Sequence, residues 1–254
     1  MDEFIRASIK GHVKIKDKAT GEILVDTHND VLYGNMSTAL AQALIGNADS
    51  FLYYMAFGNG GAYVGPTGTI AYKPSLGGPG SLIKNPTANL YSTIYVKKLS
   101  NDAATFDPAS IAYIGPENYS TNYENIIVDV TIGYSEPPVG ITSTTNVITQ
   151  LPVDNSSFVG TSTTAAGTAT TFDPNTLVFN EIGLFVGSNN LFSGNFTSTV
   201  NDVDNFILQT PNFSNVPGVS SKLMITHAIF HPVQKSANRS LEIIYTLQIS
   251  MGAS

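Results

Sequence analysis

Cysteine and tryptophan are both absent from these 254 residues. Without cysteine there can be no disulfide, no zinc–thiolate centre and no thiol nucleophile. Charge is scarce too: Asp, Glu, Lys and Arg make up 12% of the chain, about half the usual share of a soluble domain. The scarcer sign is positive, with 12 Lys and Arg against 19 Asp and Glu and a net charge of −7. A broad basic footprint for nucleic acid or anionic lipid is therefore not expected. No apolar run approaches the roughly 18 residues of a membrane helix. The opening residues, MDEFIRASIKGHVKIK, lack the apolar core of a signal peptide. The expectation is a soluble protein that is not exported by the usual route.

Apolar material is plentiful. Hydrophobic residues are 42% of the chain and aromatics 10%, enough for a core, so low charge does not imply disorder. The strongest periodicity is that of strands. Ile9, Gly11, Val13 and Ile15 alternate with Lys10, His12, Lys14 and Lys16, and a Gly-containing turn leads to Ile23-Leu24-Val25, which predicts a hairpin. Its basic outward face suggests protection of a sheet edge. Asn35 to Ile45 has helical spacing, with Asn35 or Ser37 as cap and Gly46 as terminator. Further strands are expected at 51–57, 91–99, 126–134, 177–185, 223–229 and 241–249. The fold class is mainly β: an antiparallel β-sandwich-like domain with one short α-helix over about 35–45.

Two stretches interrupt that pattern within a single domain spanning 1–254. Residues about 62–90 are dense in Gly and Pro without a regular period. From Thr142 to Thr171, Ser and Thr fill 14 of 30 positions, too little apolar matter for a core of their own. Insertions at about 62–90 and 142–175 are read as loops or arms that find burial on other chains.

The usual catalytic signatures are missing. No Walker A lysine follows a glycine run and no Gly-x-Ser-x-Gly elbow exists. Gly58-x-Gly60 follows a strand, but Tyr63 stands where a third glycine would be, so a turn needing positive φ is preferred to a nucleotide loop. His227 and His231 are four apart on a strand, about 13 Å along it, too far for one ion. They and Gln234 are instead candidates for an interface. Glu181 lies inside the apolar strand Phe179–Phe185, where a charge needs a partner. Lys235 or Arg239 is the expected cation, in an ion pair anchoring a loop at 232–240. No cofactor, metal or enzymatic activity is expected.

Four blocks carry a resemblance: IKGHVKIKDKATGEILVDTHNDVLYGNMSTALAQAL with YMAFGNGG, then NIIVDVTIGYSEP, FNEIGLF and THAIFHPVQKSANRSLEIIYTLQIS. Together they span about a third of the chain and resemble a family of virion structural proteins of large contractile-tailed bacteriophages, marine and cyanobacterial ones especially. The order Phe57-Gly58-x-Gly60, then Glu-Ile-Gly-Leu-Phe, then a final alternating strand is also similar to modules of phage tail-fibre and baseplate-associated proteins. The resemblance implies a homo-oligomeric virion component at the neck, baseplate or fibre-attachment level of the tail. Its partners would be other virion proteins, and it would be assembled in the host cytoplasm. A capsid decoration protein and a receptor- or glycan-binding tip are the alternatives. The resemblance brings no catalytic residues with it.

Overall fold

The computed structural model describes residues 5–46, 51–78, 81–99, 109–114, 123–134, 177–187, 205–207, 223–236 and 238–253. In chain order its first elements are β1 (Ile5–Asp17), β2 (Ile23–Val31), α1 (Tyr33–Leu44), β3 (Phe51–Gly58), β4 (Ala62–Val64) and β5 (Ile70–Tyr72). There follow β6 (Thr93–Lys98), β7 (Ala109–Ile114), β8 (Tyr123–Ile132), β9 (Leu177–Gly187), β10 (Asn205–Ile207), β11 (Leu223–Lys235) and β12 (Leu241–Ala253).

Ten strands make one curled antiparallel sheet in the order β10-β6-β3-β9-β11-β2-β1-β12-β8-β7, and β4 and β5 form a separate hairpin. Strand β2 is the joint. Its first part pairs with β1, while Asp30 and Val31 at its end pair with His227 and Thr226 of β11. The sheet folds over at this joint, and its two halves enclose a single core. Val13 and Ile15 of β1, Val128 and Val130 of β8 and Tyr245 of β12 come from one half. Met55 and Phe57 of β3, Tyr95 of β6 and Phe179 and Leu184 of β9 come from the other. The fold is mainly β and sandwich-like, as the alternating patterns predict.

Aromatic contacts link neighbouring strands inside that core. Phe57 stacks on Tyr95 at 5.7 Å and meets the edge of Phe179 at 5.3 Å, and Phe179 meets Phe230 at 5.8 Å. Each such pair adds about 0.5–1.5 kcal/mol beyond its buried area. Lys97 is fully buried, and its Nζ reaches the Thr131 carbonyl of β8 at 2.7 Å, so one buried ammonium spans the two halves.

The hairpin at the N-terminus has the expected parity, with Ile9, Gly11, Val13 and Ile15 buried between more exposed Lys10, His12, Lys14 and Lys16. Its predicted role as an edge guard is wrong. β1 lies between β2 and β12, where Lys14 faces Asp26 and Lys16 meets Glu242.

The helix begins at Tyr33, two residues earlier than expected, and Asn35 does not cap it. Asn35 is buried, and its carboxamide bonds Met224 O, Asn85 O and the Asn85 N–H at 2.8, 2.9 and 2.7 Å. The cap comes from far along the chain: Tyr33 N–H donates to Ser81 Oγ and Gly34 N–H to Ser81 O. Gly46 ends the helix at φ +74°, as its position predicts.

These bonds also correct the reading of residues 62–90 as an arm. In addition to Ser81 and Asn85, Gly78 N–H donates to Val31 O and Lys73 N–H to Gly61 O. Ala62, Ala88 and Leu90 are buried. The segment carries too few apolar residues for its own core but lies across a sheet that has one. The Ser/Thr-rich insertion at 142–175 falls outside the described residues.

Strand β11 continues through Pro232 to Lys235, so the predicted loop at 232–240 shrinks to the turn after Lys235. Proline is accommodated because the register with β9 jumps from Ile229↔Glu181 to Val233↔Phe179. Residues in the resulting bulge need no ladder hydrogen bond.

Candidate functional site

Glu181 is the centre of the most elaborate polar cluster among the described residues. It sits on β9 between β3 and β11, opposite Gly58 on one side and Ile229 on the other. Its carboxylate has no exposed surface. Oε1 accepts the backbone N–H groups of Gly60 at 3.0 Å and Ser92 at 2.9 Å, while Oε2 accepts that of Tyr91 at 3.0 Å. The His227 ring supplies a fourth donor, with Nε2 3.1 Å from Oε2. Charge-assisted bonds of this kind are stronger than neutral ones, and four of them replace the water that burial removed.

The other ring nitrogen of His227 decides the character of that contact. Leu76 N–H donates to Nδ1 at 3.1 Å, which requires a lone pair there. The proton is therefore on Nε2, and His227 meets Glu181 as a neutral donor. Next to Glu181, Asn180 holds the same loop: Oδ1 accepts Gly61 N–H at 2.8 Å and Nδ2 donates to Asn59 O at 3.0 Å. Two adjacent side chains of β9 thus clasp Asn59-Gly60-Gly61, and Glu181 simultaneously ties down residues 91–92.

The glycines of this loop serve close approach. A Cβ on Gly58 would lie 2.5 Å from Glu181 Oε1, and one on Gly60 2.8 Å from Ser92. Positive φ was the expected reason for them, and neither adopts it; the left-handed glycines of the described residues are Gly21, Gly46, Gly68 and Gly78.

Around the carboxylate the electrostatics follow from burial. Lys73 Nζ stands 4.2 Å above the Tyr91 ring. Partial burial lowers the Lys73 pKa, a shift the Glu181 charge partly opposes. Burial raises that of the Tyr91 phenol, and the same negative charge adds to it.

The expected ion pair of Glu181 with Lys235 or Arg239 does not form. Arg239 Nε instead bonds Asp17 Oδ2 at 2.7 Å and its Nη1 the Gln234 carbonyl at 3.2 Å. Buried Lys235 donates to Ser236 O at 2.9 Å. Beyond the bulge β11 goes on pairing with β9, and Lys235 lies opposite Leu177, four residues along β9 from Glu181. His227 and His231 part company as well. His227 is buried in the clasp, whereas His231 is exposed and its Nδ1 lies 3.2 Å from the Tyr72 hydroxyl. Gln234 is exposed.

Chemically the cluster is closed: every carboxylate oxygen is saturated, and neither Glu181 nor His227 has an exposed side-chain atom for a substrate to meet. A shallow cavity of about 390 Å³ opens nearby between the start of α1, Leu76 and residues 81–85, lined by Leu32, Leu76, Ile83 and Lys84 among others. Its Asn35, Ser81 and Asn85 groups already bond one another or the backbone. Among the described residues no group of three or more His, Asp or Glu is arranged to hold a metal ion, and no helix is long and apolar enough to cross a membrane.

The sequence singled out Glu181 and His227 separately but could not pair them. Their union depends on β9 and β11 being neighbours. The donors Gly60, Tyr91 and Ser92 act through the backbone and leave no side-chain signature.

No protein-family model, curated protein sequence or solved structure matches the chain.

Proposed function

We propose that this chain is a structural protein of a contractile-tailed bacteriophage particle, a homo-oligomeric component of the neck, baseplate or fibre-attachment region of the tail. One observation supports this reading above others. Three blocks that resemble the phage family, YMAFGNGG, FNEIGLF and THAIFHPVQK, meet in the Glu181 clasp: the glycine loop, Asn180 with Glu181, and His227 respectively. What those blocks share is thus an interlock that builds a fold, with its strongest polar groups spent on backbone amides and none turned towards a ligand. Such a module suits a protein whose task is to present surfaces to other subunits. The low positive charge suits a position outside the genome compartment.

Quantitative mass spectrometry of purified particles from the phage that encodes this chain tests the proposal. The expected result is the chain at a fixed copy number, from six to a few dozen per particle if it belongs to the tail. Hundreds of copies would transfer it to the capsid shell, and its absence from washed particles would overturn a virion role.

A further inference from the structure

The outward face of the β1–β2 hairpin carries a pair of histidines that the clasp does not use. His12 and His28 are directly opposed across the two strands. Their rings meet edge to face with centroids 5.5 Å apart, and both residues reach solvent, His28 being exposed and His12 half-buried. Directly opposed side chains of an antiparallel pair lie close enough to share a ligand.

The distance suits a particular ligand. A late first-row dication binds imidazole nitrogen at about 2.0–2.1 Å, which puts it about 3.2 Å from the ring centroid. Two rings sharing one ion at angles of about 90–120° then have centroids about 4.5–5.5 Å apart. The observed separation lies at the wide end of that range.

Asp26 supplies the second shell. Its Oδ1 lies 2.7 Å from His12 Nε2, so the carboxylate holds the proton on Nε2 and leaves Nδ1 with its lone pair. A carboxylate behind a ligating histidine fixes the tautomer and raises its basicity. The surrounding charge is balanced: Lys10 and Lys14 flank His12 along β1, Asp26 and Asp30 flank His28 along β2, and Lys14 Nζ is 4.0 Å from Asp26 Oδ2. Thr246 of β12 lies opposite His12 on its other side.

From this geometry we propose that His12 and His28 form an exposed cross-strand chelate for a divalent late transition metal ion of the nickel, copper and zinc class, with Asp26 as the positioning residue. With two protein ligands, solvent fills the remaining coordination positions. The ion is exchangeable, and bridging β1 to β2 it favours the folded hairpin. This site is independent of any role in a particle.

The test uses the full chain without an affinity tag, stripped with EDTA and titrated with nickel chloride by calorimetry in a non-coordinating buffer. One equivalent is expected to bind with a micromolar dissociation constant and to raise the unfolding temperature. His12→Asn and His28→Asn should each weaken binding by at least about tenfold, and Asp26→Asn by a smaller factor. His231→Asn should change nothing. Because these side chains point to solvent, the metal-free variants should unfold close to the wild-type temperature. Failure of the wild-type chain to bind nickel overturns the proposal, and so does binding of equal strength in both hairpin histidine variants.

Discussion

Gly11 of β1 stands directly across from Asn29 of β2, and the Asn29 carboxamide fills the place a side chain at position 11 would take: a Cβ there would fall 1.5 Å from Oδ1. Asn29 is buried, and its Nδ2 donates to the hydroxyl of Tyr245, a phenol whose pKa burial raises strongly. Gly11→Ala must therefore displace a buried amide. It is expected to destabilise the protein by about 1–3 kcal/mol. Asn29 Oδ1 has no hydrogen-bond partner, so Asn29→Ala alone should lose less, about 1 kcal/mol. The double variant should recover stability relative to Gly11→Ala, since the space is then free. Urea unfolding of the four proteins checks this, and strictly additive changes would show that the two residues do not compete.

Glu181→Gln keeps the shape of the clasp but faces amide hydrogens towards backbone donors. Of the four donors on the carboxylate, at least one loses its acceptor. A buried unsatisfied donor costs about 1–3 kcal/mol, and the loss of charge weakens the remaining bonds. A destabilisation of roughly 3 kcal/mol is expected. Native-state hydrogen exchange gives the local signature: the Gly60, Tyr91 and Ser92 amides should exchange faster, and amides of β12 should change only with global stability.

Acid should act on the β1–β2 turn through Asp17. The Arg239 Nε–H bond first, then the Thr20 and Ala19 backbone N–H groups, hold its carboxyl below the usual aspartate range. The folded protein thus gives up this proton more readily than the unfolded chain. Its contribution to stability is fully present above the ordinary aspartate pKa of about 3.9 and is lost as the pH falls through the lower folded value. Asp17→Asn should be less stable than wild type at neutral pH, and the difference should shrink in acid. A gap that stays constant from neutral pH into strong acid would contradict the assignment.

Asn35→Ala should release the turn that caps the helix. Three bonds to Asn85 and Met224 are lost, and the Met224 and Asn85 backbone groups lose a partner. A cost of about 2–3 kcal/mol is expected. Hydrogen-exchange mass spectrometry should show faster exchange over residues 81–90 and in the first turn of α1, where Ser81 supplies the caps. Unchanged protection there would mean that Ser81 is held by other contacts.

Much of the fold was legible because strand patterning is local. Alternation in Ile9–Lys16 and Leu241–Ile249 gave the buried face of β1 and β12 directly. Gly46 ended the helix where its lack of a side chain allows positive φ. Other elements misled for equally physical reasons. Pro232 reads as the end of a strand, and only the bulge against β9 lets the strand pass through it. Asn35 reads as a cap, but buried beneath the 81–85 turn it is worth more as a bridge between segments. The basic face of β1 reads as an edge until β12 is seen to pair with it.

The candidate site divides in the same way. A carboxylate within Phe179–Phe185 signalled from sequence alone that it must have a partner, because an unpaired buried charge is prohibitively costly. Which partner it has was undetermined, since any hydrogen-bond donor brought near would serve. The hydrophobic periodicities by themselves determined that this chain is antiparallel β with one short helix, because each strand displays its buried face every second residue. Strand order, the folding of residues 62–90 onto their own sheet and the choice of His227 over Lys235 or Arg239 were decided only in three dimensions. Those outcomes depend on contacts between residues more than a hundred positions apart in several cases, and no local pattern records which of several compatible neighbours packs best.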